Sequence, residues 1–157
     1  MFKRGTIDGV VIKPLLKHID DRGWLTEIYR LDELEKPSHP VMGYISMTQA
    51  GVVRGPHEHA NQADFFSFLG PSNFKVYLWD NRKGSPTYMN RQVVYAGEDA
   101  PTSILIPAGV VHAYKNVGGK EGMVVNAPNR LYAGPGKKEP VDEIRHEADP
   151  NSIFAVD

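Results

Sequence analysis

Three histidines carry the strongest chemical signal in this 157-residue chain. His57 and His59 follow a glycine turn in Gly51-Val52-Val53-Arg54-Gly55-Pro56-His57-Glu58-His59. His112 follows another in Pro107-Ala108-Gly109-Val110-Val111-His112-Ala113-Tyr114-Lys115-Asn116. Both runs are rich in β-formers. Side chains alternate faces along a strand, so His57 and His59 point the same way. His112, from a distant strand, is expected to meet them only if the sheet curls into a barrel. Converging imidazoles suit two chemistries: a neutral ring is a proton acceptor near physiological pH, and it is also a ligand for divalent metals. Asp64 is either a fourth ligand or a cap for the turn before Phe65. Arg54 is either a donor to an anionic substrate or the partner of a carboxylate inside the barrel.

The elements that must position these residues are short strands. Candidates are Thr6–Ile12, Trp24–Tyr29, Val41–Met47, Phe65–Leu69, Phe74–Trp79, Arg91–Tyr95, Ser103–Ile106, Ala113–Val117 and Met123–Asn126. Gly (15) and Pro (12) are spread between them, and short strands broken by turn residues predict a sandwich or barrel. Tyr77-Leu78-Trp79 and Ile104-Leu105-Ile106 are apolar without alternation, which predicts burial on both faces. Leu31–Lys36 is expected to form a short helix stopped by Pro37. The Arg82–Thr87 block reads as a structural turn between strands. The stretch from Tyr132 to Glu147, rich in Gly, Pro and charge, is expected to run over the surface. His18, His39 and His146 have no partner pattern and read as surface residues.

Bulk properties narrow the function. Hydrophobic residues are 41% and charged residues 24%, as in an ordinary globular chain, and residues 1–157 are expected to form a single domain. The net charge is −1 with no basic tract, so nucleic acid is not an expected partner. Cysteine is absent, which excludes thiolate chemistry and disulfides. No apolar run reaches the roughly 20 residues of a membrane span. Met1-Phe2-Lys3-Arg4-Gly5 has no apolar stretch behind it, so the expected compartment is the cytoplasm.

The spacings G-x5-H-x-H-x4-D from Gly51 to Asp64 and P-x-G-x2-H-x3-N from Pro107 to Asn116 resemble the two cupin motifs, with Asp in place of the usual Glu. A narrower resemblance runs through four blocks, Asp21–Glu27, Gly51–His57, Asp80–Thr87 and Ile106–His112. Together they look like the dTDP-4-dehydrorhamnose 3,5-epimerases. The resemblance implies an all-β double-stranded β-helix, or cupin jelly roll, working as a homodimer on a nucleoside-diphosphate sugar without a cofactor. It places His57 as the catalytic base and His112 as a second pocket histidine. It makes Arg54 a substrate-binding arginine, and puts Arg22 and Glu27 on nucleotide-binding positions reached across the dimer. Tyr132 falls on a pocket tyrosine.

The departures are specific. Asn126 stands where that family has its catalytic tyrosine. No lysine is found near Asp64, where a pocket lysine belongs. The aspartate that orients the catalytic histidine lies beyond the end of this chain, and His59 replaces a residue that is not a ligand. Two mechanisms follow. In one, His57 removes a proton beside the ketone of a 4-keto-6-deoxy sugar, His112 is the named candidate to stabilise the enolate, and water or Tyr132 returns the proton. In the other, His57, His59, Asp64 and His112 hold a divalent metal such as Fe, Mn, Ni or Zn. The two exclude each other at His57. A third reading is a non-catalytic protein that binds nucleotide sugars.

Overall fold

The computed structural model describes all residues from Met1 to Asp157. Two antiparallel sheets face each other across the core. The six-stranded sheet has the order β1 (Lys3–Arg4), β9 (Asn90–Gly97), β8 (Asn73–Asp80), β11 (Val110–Asn116), β6 (Val53–Glu58) and β13 (Ile144–Arg145). Only the β1–β9 pairing is parallel. The five-stranded sheet has the order β2 (Val11–Pro14), β10 (Thr102–Ile106), β7 (Asp64–Phe68), β12 (Gly122–Asn126) and β5 (Tyr44–Thr48). A separate hairpin joins β3 (His18–Asp20) to β4 (Gly23–Leu25). Spatial neighbours such as β8 and β11, or β7 and β12, are far apart in sequence, and this interleaving makes the jelly roll.

Phe66, Phe68, Phe74, Val76, Leu78, Ile104, Ile106 and Val110 fill the space between the sheets. Burying each aromatic or branched side chain contributes about 1.5–3 kcal/mol. Tyr77 and Trp79 alternate with Leu78 and lie on the outer face of the six-stranded sheet. Phe154, Val156 and Phe2 cover that face. The unalternated Tyr77-Leu78-Trp79 run is therefore buried on both faces, as its composition predicts.

Several expectations are corrected. Thr6–Ile12 is not one strand: residues 8 and 9 turn, Gly9 has φ +76°, and pairing begins at Val11. Leu31–Lys36 is two 3-10 turns, Leu31–Glu33 and Lys36–Ser38, with Pro37 inside the second. Tyr132–Glu147 does not simply run over the surface. Its end adds β13 to the sheet, and the His146 and Glu147 amides both donate to the Pro56 carbonyl. His146 is held rather than free, its Nε2 lying 2.8 Å from Glu58 Oε1. No helix is long and apolar enough to cross a membrane.

Candidate functional site

The histidines meet by a simpler route than barrel closure. β6 and β11 are neighbours in one sheet, and His57 pairs directly with His112 in their register. Ring centroids are 4.5 Å apart for His57 and His112, and 5.6 Å for His57 and His59. Gly55 makes the approach of the strands possible. It sits at φ +82°, and a Cβ there would lie 2.6 Å from the His112 carbonyl oxygen. Barrel closure contributes Asp64 instead, carried by β7 on the opposite sheet.

Asp64 is 1% exposed. Its Oδ1 accepts from Gln62 Nε2 at 2.9 Å and Asn126 Nδ2 at 2.8 Å. Its Oδ2 lies 3.0 Å from His59 Nε2 and 3.4 Å from His112 Nε2. His112 donates through Nδ1 to the Val110 carbonyl, so its Nε2 turns a lone pair toward the carboxylate. Asp64 Oδ2 and His112 Nε2 are buried without a hydrogen-bond partner. Asp64 thus acts as an acidic neighbour of His59 and His112 rather than as a turn cap.

Charge is divided unequally within this cluster. Burial opposes a charge on His59, but Asp64 and the Asp142 carbonyl at its Nδ1 outweigh burial and raise its pKa. Burial also opposes ionisation of Asp64, yet the His59 contact and its other neighbours hold its pKa down at about 2. His57 is pushed down to about 2, first by burial and then by the other two imidazoles. Burial likewise lowers His112. Of the three rings His59 is therefore the one that favours the charged form, while His57 favours the neutral form and keeps a lone pair to offer.

A cavity of about 1000 Å³ opens in front of His57. Arg54 lines it, held by Thr48 Oγ1 at 3.0 Å and the Met47 carbonyl at 2.7 Å, with no carboxylate partner. The segment 130–147 forms the other wall. Asp142 fastens it by accepting from the Ala60 and Asn61 amides, both at 2.8 Å. Glu143 Oε1 then lies 4.0 Å from His57 Nδ1, while its Oε2 accepts from Arg145 Nε at 2.8 Å. The returning tail thus places a carboxylate beside His57.

The remaining site residues are placed as follows. His112 lies under His57, 2% exposed, and does not line the cavity. Asn126 is fully buried behind the wall rather than on it, so it is not positioned to touch a substrate within this fold. Its amide donates to the Tyr44 hydroxyl at 2.8 Å. Tyr44 lines the cavity, and burial of its hydroxyl pushes its pKa up to about 12. Tyr132 lines the mouth and is 57% exposed. Arg22 and Glu27 lie outside the cavity of their own chain, paired with Asp20 at 2.5 Å and Arg30 at 3.5 Å. Sequence reasoning missed Tyr44, Glu143 and Asp142. For Tyr44 the partner Asn126 is set by the register of β5 on β12, which the sequence does not display.

Comparison with known proteins agrees with this geometry. The family model for dTDP-4-dehydrorhamnose 3,5-epimerase matches residues 4–135. The chain is 40% identical over 112 residues to the spore coat polysaccharide biosynthesis protein SpsL of Bacillus subtilis, covering 71% of this chain and 73% of that one. It is 35% identical over 127 residues to the probable low-salt glycan biosynthesis epimerase Agl13 of Haloferax volcanii, covering 80% and 81%. A dTDP sugar isomerase from Desulfovibrio desulfuricans superposes with a TM-score of 0.83 at 20% identity, covering 96% of this chain and 91% of that one. The match of the family model across most of the jelly roll, with the histidine pair on its paired strands, shows that this chain belongs to the dTDP-4-dehydrorhamnose 3,5-epimerase family.

Proposed function

We propose that the protein epimerises a nucleoside-diphosphate 4-keto-6-deoxy sugar by removing a proton next to the ketone. One observation carries this reading: His57 is held neutral at the floor of an open cavity, with a carboxylate near its Nδ1. A ketone acidifies the hydrogens on C3 and C5. His57 takes one of them through Nε2, and Glu143 orients the ring and offsets the charge it gains. Arg54 meets the diphosphate with its planar fork. The cationic His59 behind His57 favours the enolate by its charge, in place of a pocket lysine.

Working as a homodimer completes the reading. The β3–β4 hairpin exposes Ile19 at 79% and Leu25 at 61%, and β5 exposes Ile45 at 62%. Apolar surface of this kind calls for cover, and a second copy would bring Arg22 and Glu27 toward the nucleotide. A mass of two chains in solution at micromolar concentration is the expected outcome, and a monomer would count against it.

The same cluster supports a second reading. Ligand atoms of His57, His59 and His112 lie within 4.8 Å of one another, and Asp64 Oδ2 is buried beside them without a hydrogen bond. These donors fit a divalent ion, which would polarise the ketone as a Lewis acid. His57 would then have no lone pair left for a proton.

Solvent deuterium incorporation into dTDP-4-keto-6-deoxyglucose, followed by NMR, tests both readings. Wild type should exchange at C3, C5 or both, and His57→Asn should lose about 100-fold or more. Exchange that stops with a chelator and returns with a divalent ion would favour the metal. No exchange with thymidine, cytidine, guanosine or uridine sugars would remove the enzyme reading altogether.

A further inference from the structure

Inversion needs a second proton carrier on the far side of the sugar ring. A proton returned by the group that removed it restores the starting centre. His57 stands on β6 of the six-stranded sheet, and the five-stranded sheet faces it across the jelly roll, where a donor for the opposite face of the sugar can stand. Three tyrosines line the cavity: Tyr44, Tyr114 and Tyr132. Tyr114 is 5% exposed, and its hydroxyl is engaged with Ser46 Oγ at 2.9 Å. Tyr132 stands on the tail wall beyond the sheets, and nothing holds its hydroxyl.

Tyr44 differs from both. It lies on β5, directly opposite Asn126 of β12 in the register, and its hydroxyl accepts from Asn126 Nδ2 at 2.8 Å. Asn126 cannot move to follow a substrate. The same Nδ2 donates to Asp64 Oδ1 at 2.8 Å, and its Oδ1 accepts from the Phe65 amide at 3.1 Å. The phenol oxygen is therefore fixed, yet no residue accepts the phenol proton, which is left for whatever occupies the cavity. Resting on the epimerase reading above, we propose that Tyr44 is the proton donor of the second half-reaction. It sits on β5, facing His57 across the substrate, with Asn126 serving as its bracket.

The step balances. The C–H bond breaks, its proton goes to His57 Nε2, and its electron pair forms the enolate. The enolate carbon then takes the Tyr44 proton on the opposite face as the O–H bond breaks. The tyrosinate is reprotonated by water, and His57 releases its proton to solvent. An amide such as Asn126 could not supply that proton, because its N–H is far too weak an acid.

The test separates abstraction from inversion. Tyr44→Phe removes only a hydroxyl. Its melting temperature should fall by only a few degrees, because Asn126 Nδ2 loses one acceptor, and its affinity for dTDP should match the parent, which establishes that it is folded and loaded. With dTDP-4-keto-6-deoxyglucose in deuterium oxide, Tyr44→Phe should keep exchange of the original C–H within about threefold, while formation of the inverted centre falls about 100-fold or more. Exchange without inversion is a signature that a purely structural role does not produce. Equal losses of exchange and inversion would overturn the proposal, as would inversion at the parental rate. If the parent itself shows no exchange, the epimerase reading fails first and takes this proposal with it. If the parent exchanges and Tyr44→Phe still inverts, only the role of Tyr44 is lost.

Discussion

Asp64 and Asp80 are both sealed from solvent, at 1% and 0% exposure, and both have lowered pKa values, yet their surroundings differ in kind. Asp80 is saturated. Its Oδ1 accepts from the Arg82 amide and Nε, and its Oδ2 from Arg82 Nη2, Ser85 and Thr87. Every donor comes from one short turn, so the carboxylate ties that turn shut. Asp64 is half saturated. Two amides hold one oxygen, and the other faces two imidazole nitrogens with no hydrogen-bond partner. The first carboxylate builds the fold, and the second sets the charge of the cluster around the base.

The largest effect expected from this contrast is on stability. Asp80→Ala leaves the Arg82 guanidinium and two hydroxyls without their acceptor, and should lower unfolding free energy by about 3–5 kcal/mol. Asp64→Asn should change it by only about 1 kcal/mol or less, because its Oδ1 can still accept from Gln62 and Asn126 while its new amide donates to the orphaned His112 Nε2. The same change should cost activity, since His59 loses the partner that keeps it charged. Urea unfolding and the exchange assay, run on both variants, would erase the contrast if the two lost stability equally.

A smaller effect concerns pH. His57 and His112 have lowered pKa values, so below about 6.5 the unfolded chain binds protons there that the folded chain refuses. Stability from these two sites falls as pH falls. His59, with a raised pKa, acts in the opposite direction: its contribution is complete below about 6.5 and is lost as pH rises through its folded value. Below about pH 6.5 His59 is charged in both states and adds no slope, so the two lowered histidines leave a net loss of stability down to pH 5, with a slope of at most about 1.4 kcal/mol per pH unit for each of them. His57→Asn removes one of the two, so the pH dependence of the urea midpoint should fall by about half between pH 6 and 5. An unchanged slope would mean that His57 is not held neutral.

Much of this was legible in the sequence, and what escaped has physical reasons. A sandwich or barrel was legible in the short apolar strands between turn residues, the jelly roll only through the family resemblance, and the Arg82–Thr87 turn in its Gly, Ser and Pro. The histidines were legible because a strand's period puts His57 and His59 on one face. The tail was not. Residues 132–147 lack alternation, and they are fastened by backbone amides reaching Pro56 and by Asp142 reaching Ala60 and Asn61, contacts that leave no local pattern. Glu143 was hidden for the same reason. Tyr44 lay inside an expected strand, but its meaning depends on Asn126, 82 residues away. The meeting of His57 and His112 was assigned to barrel closure because strand order cannot be read from strand content.

The central claim is that one positive charge sits on His59, against Asp64, so that His57 stays a neutral base. Side-chain nitrogen NMR of the histidine rings between pH 5 and 8, assigned by single substitutions and run in the presence of a chelator, tests it directly. The account predicts that His57 and His112 show neutral-ring shifts throughout, and that His59 shows a charged ring at pH 5 and titrates above about 6.5. A His57 ring that takes up its proton near 6.5, or a His59 ring neutral at pH 5, would contradict it.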